Sequence, residues 1–292
     1  MRRFLPLLVL LAACANGSGH PVEAVSADGR DRLLDIPVTD AQGRVTELQT
    51  RLCRPETDAP ARLVVINHGS PADASYRPGI KPGPCSGEAA QWFLHRGYAV
   101  AFPIRRGYGA TGGPWVEDYG PCIRADFFHA GLETARDIDA AVEGLTKLPF
   151  VRPDGVIVVG HSAGAWGTIA YDSTSHPKVS ALIAMAPGRG GHEDLVPYKL
   201  CAPDRLIEAA GRYGATASTP MLWIYTANDT FFAPSFARTI DGSFTAGGGK
   251  VEFEQLSLYS SNGHNFFFEP GASNVWGPIV AQYLALQHAS TP

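Results

Sequence analysis

Charge is scarce in this chain, at 18% of 292 residues, and no cluster of lysine or arginine forms the basic stripe that a phosphate backbone would need. A nucleic-acid partner is therefore not expected. There is no internal repeat, no C-x-x-C pair of the kind that frames a structural zinc site, and no low-complexity linker beyond residue 29. Solenoids, zinc modules and strings of domains are excluded, and nothing calls for a metal or a cofactor. Apolar runs long enough to cross a bilayer are also lacking; the N-terminal one, Phe4 to Ala13, is too short.

What is present begins with a leader. Arg2 and Arg3 precede that apolar run, which is the pattern of a secretory signal. Its end, Leu11-Ala12-Ala13-Cys14, resembles a bacterial lipobox, so residues 1–13 are expected to be a signal peptide and Cys14 the lipidated N-terminus. Residues 14–28 then serve as a tether. Ordinary cleavage after Ala13-Cys14-Ala15 is the alternative, giving a freely secreted protein. Either way the expectation is export: as a periplasmic or outer-membrane lipoprotein whose only membrane contact is the lipid on Cys14, or, in the alternative, as a secreted protein.

The remaining chain, 29–292, is 45% hydrophobic over the full sequence, enough to bury one large core. Leu33–Val38 and Val45–Cys53 flank a turn-rich Asp40-Ala41-Gln42-Gly43 and predict a hairpin. Five short continuous apolar runs follow, at Leu63–Ile66, Ala99–Phe102, Val156–Val159, Ala181–Met185 and Met221–Tyr225. Such runs suit strands buried on both faces of a parallel sheet. Helical stretches lie between them, notably Glu88–Arg96 and Ala130–Leu148, and a strand near Val251–Leu258 and a helix near Val275–Gln287 close the series. The fold class is α/β, a doubly wound, mostly parallel sheet of eight strands in a single domain.

Gly160-His161-Ser162-Ala163-Gly164 follows one of these strands directly and opens an apolar helical stretch. A serine on a strand-to-helix turn projects its hydroxyl clear of the sheet at a helix N-terminus, and the flanking glycines make room for the sharp turn. Ser162 is the candidate nucleophile. From about Arg62 to the C-terminus the chain resembles the α/β-hydrolase superfamily, in its dienelactone-hydrolase-like and prolyl-oligopeptidase-like branch. It departs from true dienelactone hydrolases in carrying serine where they use cysteine, so their substrate is not carried over.

That resemblance implies a chain order of serine, acid, histidine. His264, after the last predicted strand, is the expected base, ahead of His176, His192 and His288. Asp229, just past the strand Met221–Tyr225, is the expected acid, ahead of Asp241, Glu252 and Glu254. The backbone N–H groups of Ala163 and Ser70 are the expected oxyanion donors, the latter in Asn67-His68-Gly69-Ser70-Pro71, where Pro71 has no N–H to give and His68 is read as a brace for the loop. Arg105 and Arg106 suit either a clamp for a substrate carboxylate or anchors for a long loop. Phe231, Phe232, Phe266, Phe267 and Phe268 adjoin the expected acid and base, and some should wall a pocket. Residues of about 188–217 form a cap-like excursion.

Removing Cys14 leaves Cys53, Cys85, Cys122 and Cys201. Loops after parallel strands gather at one sheet edge, which favours a Cys122–Cys201 bond. The resemblance implies that Cys53 ends an antiparallel strand and so finishes at the opposite edge, which makes it the least apt partner for the other three. The activity so implied is carboxylic-ester hydrolysis through an acyl-enzyme. Cleavage of short peptides is the alternative, disfavoured by the lack of a preceding β-propeller, and a binding protein that kept the fold is the third reading. The partner in the first two is a small ester or peptide.

Overall fold

The structure is a computed structural model and describes residues 28–289; the expected signal peptide, Cys14 and the tether up to residue 27 lie outside them. β1 (Asp31–Thr39) and β2 (Val45–Cys53) form the expected hairpin. Asp40 closes its turn by accepting the N–H groups of Gln42 and Arg44. β2 then pairs antiparallel with β4 (Ala99–Pro103), while β3 (Leu63–Asn67), β5 (Val156–His161), β6 (Val179–Met185), β7 (Met221–Thr226) and β8 (Val251–Leu256) join β4 in a parallel array. The order is β1-β2-β4-β3-β5-β6-β7-β8. Every residue of β3, β4, β5 and β7 is buried, which is why these segments read as unbroken apolar runs rather than alternating ones.

Among the described residues six α-helices cover the sheet. α1 (Glu88–Leu94) packs with α6 (Ser273–Ala289), and α2 (Phe127–Leu145) packs with α3 (Ala163–Asp172) and α4 (Pro203–Gly214), which in turn meets α5 (Pro234–Gly247). α2 starts three residues before its expected beginning because Asp126 caps it, accepting the N–H of His129 at 3.0 Å. No helix among the described residues is long and apolar enough to cross a membrane.

Among the described residues two disulfides are present, and one corrects the sequence reading. Cys122–Cys201 forms as expected, with Cα atoms 5.0 Å apart, tying the chain before α2 to the start of α4. Cys53, however, is bonded to Cys85, with Cα atoms 5.5 Å apart. The exclusion of Cys53 assumed that the segment after β3 stays at the upper sheet edge. Instead it runs back down beside β4: Gly83 lies against the ring of Phe102, and two residues later Cys85 reaches Cys53, which sits opposite Val100. α1 has only seven residues, so the loop itself makes part of the descent.

The excursion after β6 also differs in extent. Residues 188–201 are irregular and held by a bridge between Gly191 and Leu200, but α4 is a layer helix against α2, α3 and α5 rather than part of a cap.

Candidate active site

The elbow at Ser162 is built by steric exclusion. Ser162 has φ 53° and ψ −119°, a conformation costly for a residue with a Cβ. A Cβ on Gly160 would lie 2.3 Å from the Gly164 carbonyl oxygen, and one on Gly164 would lie 2.4 Å from the Asn67 carbonyl oxygen. Glycine alone allows β5, α3 and β3 to approach this closely. The Ser162 N–H donates to the Met185 carbonyl at 2.9 Å, fixing the turn on β6.

Loops from three strand ends meet at that hydroxyl. His264 Nε2 lies 2.9 Å from Ser162 Oγ, and His264 Nδ1 lies 2.9 Å from Asp229 Oδ2. Asp229 divides its oxygens: Oδ1 accepts the N–H groups of Phe231 and Phe232, and Oδ2 is left for the imidazole. Asp229 thus caps the turn after β7 with one oxygen and holds the imidazole with the other. Asn262 Oδ1 accepts the N–H groups of Thr230 and His264, locking the acid loop to the base loop. The ring of Phe231 stacks on His264 at 4.1 Å between centroids and on His192 at 3.5 Å.

The competing residues are elsewhere, apart from His192, which borders the site against Phe231. His176 bonds to Thr174 and Thr219, His192 bonds to Thr230, and His288 lies near the end of α6. Asp241 is on α5, and Glu252 and Glu254 are on β8.

Ala163 is the first residue of α3, so its N–H has no acceptor within the helix, and the residue lines the space at Ser162. Ser70 lines the same space. Its loop is gripped from below by His68, whose Nδ1 donates to the Gly69 carbonyl at 2.7 Å while Nε2 accepts the Arg105 N–H at 3.3 Å. Burial, reinforced by the Arg105 charge, pushes His68 down to about 3, so this tautomer is neutral.

Arg105 and Arg106 do not face substrate. Arg105 pairs with Glu117 and donates to the His68 carbonyl at 2.6 Å; Arg106 pairs with Asp137 at 2.6 Å and Glu133 at 2.9 Å. They are the anchors, not the clamp. Glu117 also binds Arg189 and accepts the hydroxyl of Tyr108 at 3.0 Å. A phenol has one hydrogen, and a carboxylate is its stronger acceptor. Ser70, 2.9 Å away, therefore donates its hydroxyl to Tyr108, as does Trp115 Nε1 at 2.9 Å.

Sequence reasoning missed this buried Arg105–Glu117–Arg189 group, whose members are 12 and 72 residues apart along the chain. It also missed His161, the variable residue of the elbow, whose Nε2 donates to the His264 carbonyl at 2.8 Å. Burial, with the neighbouring His264, pushes His161 down to about 3. Of the five phenylalanines, Phe231, Phe232 and Phe268 wall the site while Phe266 and Phe267 are core.

Two buried neutral histidines make the fold acid-sensitive. Between about 6.5, the value in an unfolded chain, and about 3, each binds a proton only on unfolding, so their contribution is complete above pH 6.5 and is lost as the pH falls. Asp137, pushed up to about 6 by burial against the pull of Arg106, acts with the opposite sign, so a paired comparison isolates the histidine. His68→Gln retains one donor and one acceptor. The unfolding free energy of the wild type from urea titration should fall more steeply from pH 6.5 to 4.5 than that of this variant, by up to about 1.4 kcal/mol per pH unit. Parallel curves would refute the assignment.

The sequence profile of the alpha/beta hydrolase family matches residues 63–290. No curated protein matches the chain. Among solved structures, an acylaminoacyl peptidase of Pyrococcus horikoshii superimposes with a TM-score of 0.59 at 16% identity, over 87% of this chain and 41% of that one. The chain therefore spans about two fifths of that peptidase's length. An esterase of Pyrococcus furiosus gives 0.57 at 17% identity, covering 87% and 92% of the two chains. A Klebsiella pneumoniae protein carrying a dienelactone hydrolase assignment gives 0.53 at 13% identity, covering 87% and 99%. At these identities the likeness speaks for the fold. Joined to the family match over residues 63–290 and to an elbow that only glycine at 160 and 164 permits, it establishes that the chain belongs to the alpha/beta hydrolase family.

Proposed function

We propose that the protein is a serine hydrolase that cleaves carboxylic esters through an acyl-enzyme. The observation that carries this reading is the continuous relay from Ser162 Oγ through His264 to Asp229, with both contacts at 2.9 Å. A serine hydroxyl is a weak nucleophile until a base takes its proton. As His264 Nε2 accepts that proton, Oγ bonds to the ester carbonyl carbon and the π pair moves onto the carbonyl oxygen. The N–H groups of Ala163 and Ser70 receive the resulting oxyanion, a contribution of about 3 kcal/mol per donor in comparable sites. Collapse breaks the bond to the alcohol oxygen, and the alcohol leaves with the proton from His264. Water then repeats the sequence: it yields a proton to His264, its oxygen bonds to the acyl carbon, and Oγ departs and takes the proton back, releasing the acid.

Export belongs to the same proposal, with residues 1–13 as leader and lipidated Cys14 as anchor. The two disulfides support it, since such bonds persist in oxidising compartments.

A fluorophosphonate probe tests the hydrolase reading by labelling Ser162, located by peptide mass. An ester panel with aminoacyl amides beside it then fixes the class: ester turnover is expected to dominate. Faster cleavage of the amides would move the protein to the peptidases. Failure to label would leave a binding protein that kept the fold.

A further inference from the structure

Two compartments open on Ser162, and they differ in polarity. One, about 500 Å³, is walled by Ile66, Ile80, Phe102, Ile104 and Phe268, and His264 lies in it. The other, about 410 Å³, is walled by Arg77, Trp115, Tyr119, Arg189 and Glu193, and it contains Ala163 but not His264. Only Ser70, Pro71, Ala72, Ser162 and Phe231 border both.

The chemistry of acyl transfer decides which half of a substrate goes where. The departing alcohol oxygen must receive its proton from His264 Nε2, so the alcohol lies on the imidazole side. The oxyanion points toward the Ala163 N–H, and the acyl substituent takes the direction that remains. On the ester-hydrolase reading above, we propose that the His264 compartment takes an apolar alcohol while the opposite compartment takes a short acyl chain ending in a hydrogen-bond acceptor, a carboxylate foremost, held by Arg77.

Arg77 is pre-organised for that contact. Its guanidinium carbon stands 3.2 Å from the centroid of the Trp115 ring, and Trp115 is itself fixed by its hydrogen bond to Tyr108. A guanidinium held over an aromatic face by cation–π attraction still has N–H groups of its fork to offer a planar acceptor. Among the described residues no carboxylate is ion-paired with Arg77, and its Nε is buried without a partner. The other cations near this wall are engaged: Arg189 by Glu117, and Lys199 by Asp194. Asp73, Glu193 and Asp194 share the wall, so its net charge does not favour an anion; direct contact with Arg77 does the selecting.

Aliphatic esters of matched intrinsic reactivity test both halves. With acetate as the acyl group, kcat/KM should rise about tenfold from the ethyl to the 2-phenylethyl ester. With 2-phenylethanol as the alcohol, the order should be hexanoate, then 5-oxohexanoate, then the glutarate monoester, the last favoured over hexanoate by about tenfold, mainly through KM. Arg77→Gln should bring the glutarate-to-hexanoate ratio close to one, and Arg77→Lys, which keeps charge without the fork, should retain part of it. A wild-type preference for hexanoate, a glutarate preference that survives Arg77→Gln, or a preference for the ethyl alcohol would overturn the partition. Fluorophosphonate labelling run in parallel separates the two failures. A labelled enzyme with flat or reversed selectivity defeats the partition alone, whereas no labelling and no turnover defeats the hydrolase reading and the partition with it.

Discussion

Ser162→Ala is expected to lower ester kcat/KM by at least about 10⁴-fold, and His264→Ala to bring it to the same floor, with the double variant no worse than either alone. The three groups form one relay, so breaking any contact interrupts the same proton path. Asp229→Asn should cost about 10⁴-fold for a different reason. The asparagine oxygen can still accept the N–H groups of Phe231 and Phe232, so the turn survives, but its amide then meets His264 Nδ1 as a donor and imposes the wrong tautomer. Folding should be largely preserved in all three. The backbone of His264 keeps its ties to Asn262 and His161 whatever side chain it carries. Kinetics on protein free of host esterases, with thermal midpoints alongside, decide the matter. More than a few per cent of wild-type activity in the Ser162→Ala protein would remove Ser162 from the mechanism.

Glu117→Gln should be strongly destabilising, by about 3–5 kcal/mol. Burial alone would push this carboxyl upward, but Arg105 and Arg189 outweigh it and hold Glu117 well below the ordinary carboxylate range. Neutralising it leaves two guanidinium groups enclosed without a counter-charge. The expected activity loss falls on kcat, because Arg105 holds the His68 carbonyl and Tyr108 holds the Ser70 hydroxyl, so the proposed second oxyanion donor, Ser70, loses its support. Tyr108→Phe is the control. It keeps the ion pairs and removes only the hydroxyl links, at about 1 kcal/mol. Chemical denaturation of the two variants measures the difference, and equal losses would refute the charge argument. A folded-state value held below the unfolded one means that the Glu117 contribution is present above about pH 4.3 and disappears on acidification.

The parallel strands were legible because burial on both faces leaves no room for polar alternation, and β3, β4, β5 and β7 obey that constraint at every position. Ser162, Asp229 and His264 were legible because each follows a strand end, where backbone geometry and chain order restrict the choices. Glu117 was not, because its partners at 105 and 189 come together only through tertiary folding and a lone glutamate in a loop carries no periodic signal. His161 was hidden by its place as the variable residue of the elbow. Cys53 was misjudged because strand direction was read but the path of the loop through Gly83 was not. Arg77 went unnoticed for a similar reason: its meaning depends on Trp115, 38 positions away.

The disulfides have a consequence for survival in a protease-rich environment. Each closes a covalent ring, spanning 32 positions in one case and 79 in the other. Ser70 lies inside the first ring, and Ser162 with Ala163 lies inside the second. A single proteolytic nick within either ring therefore releases no fragment. The cut ends stay tethered, and on a gel the nicked chain keeps its full mass until a reductant is added. A nick between 202 and 263 has no such protection, because it severs the base loop from the nucleophile and leaves only packing to hold His264 in place.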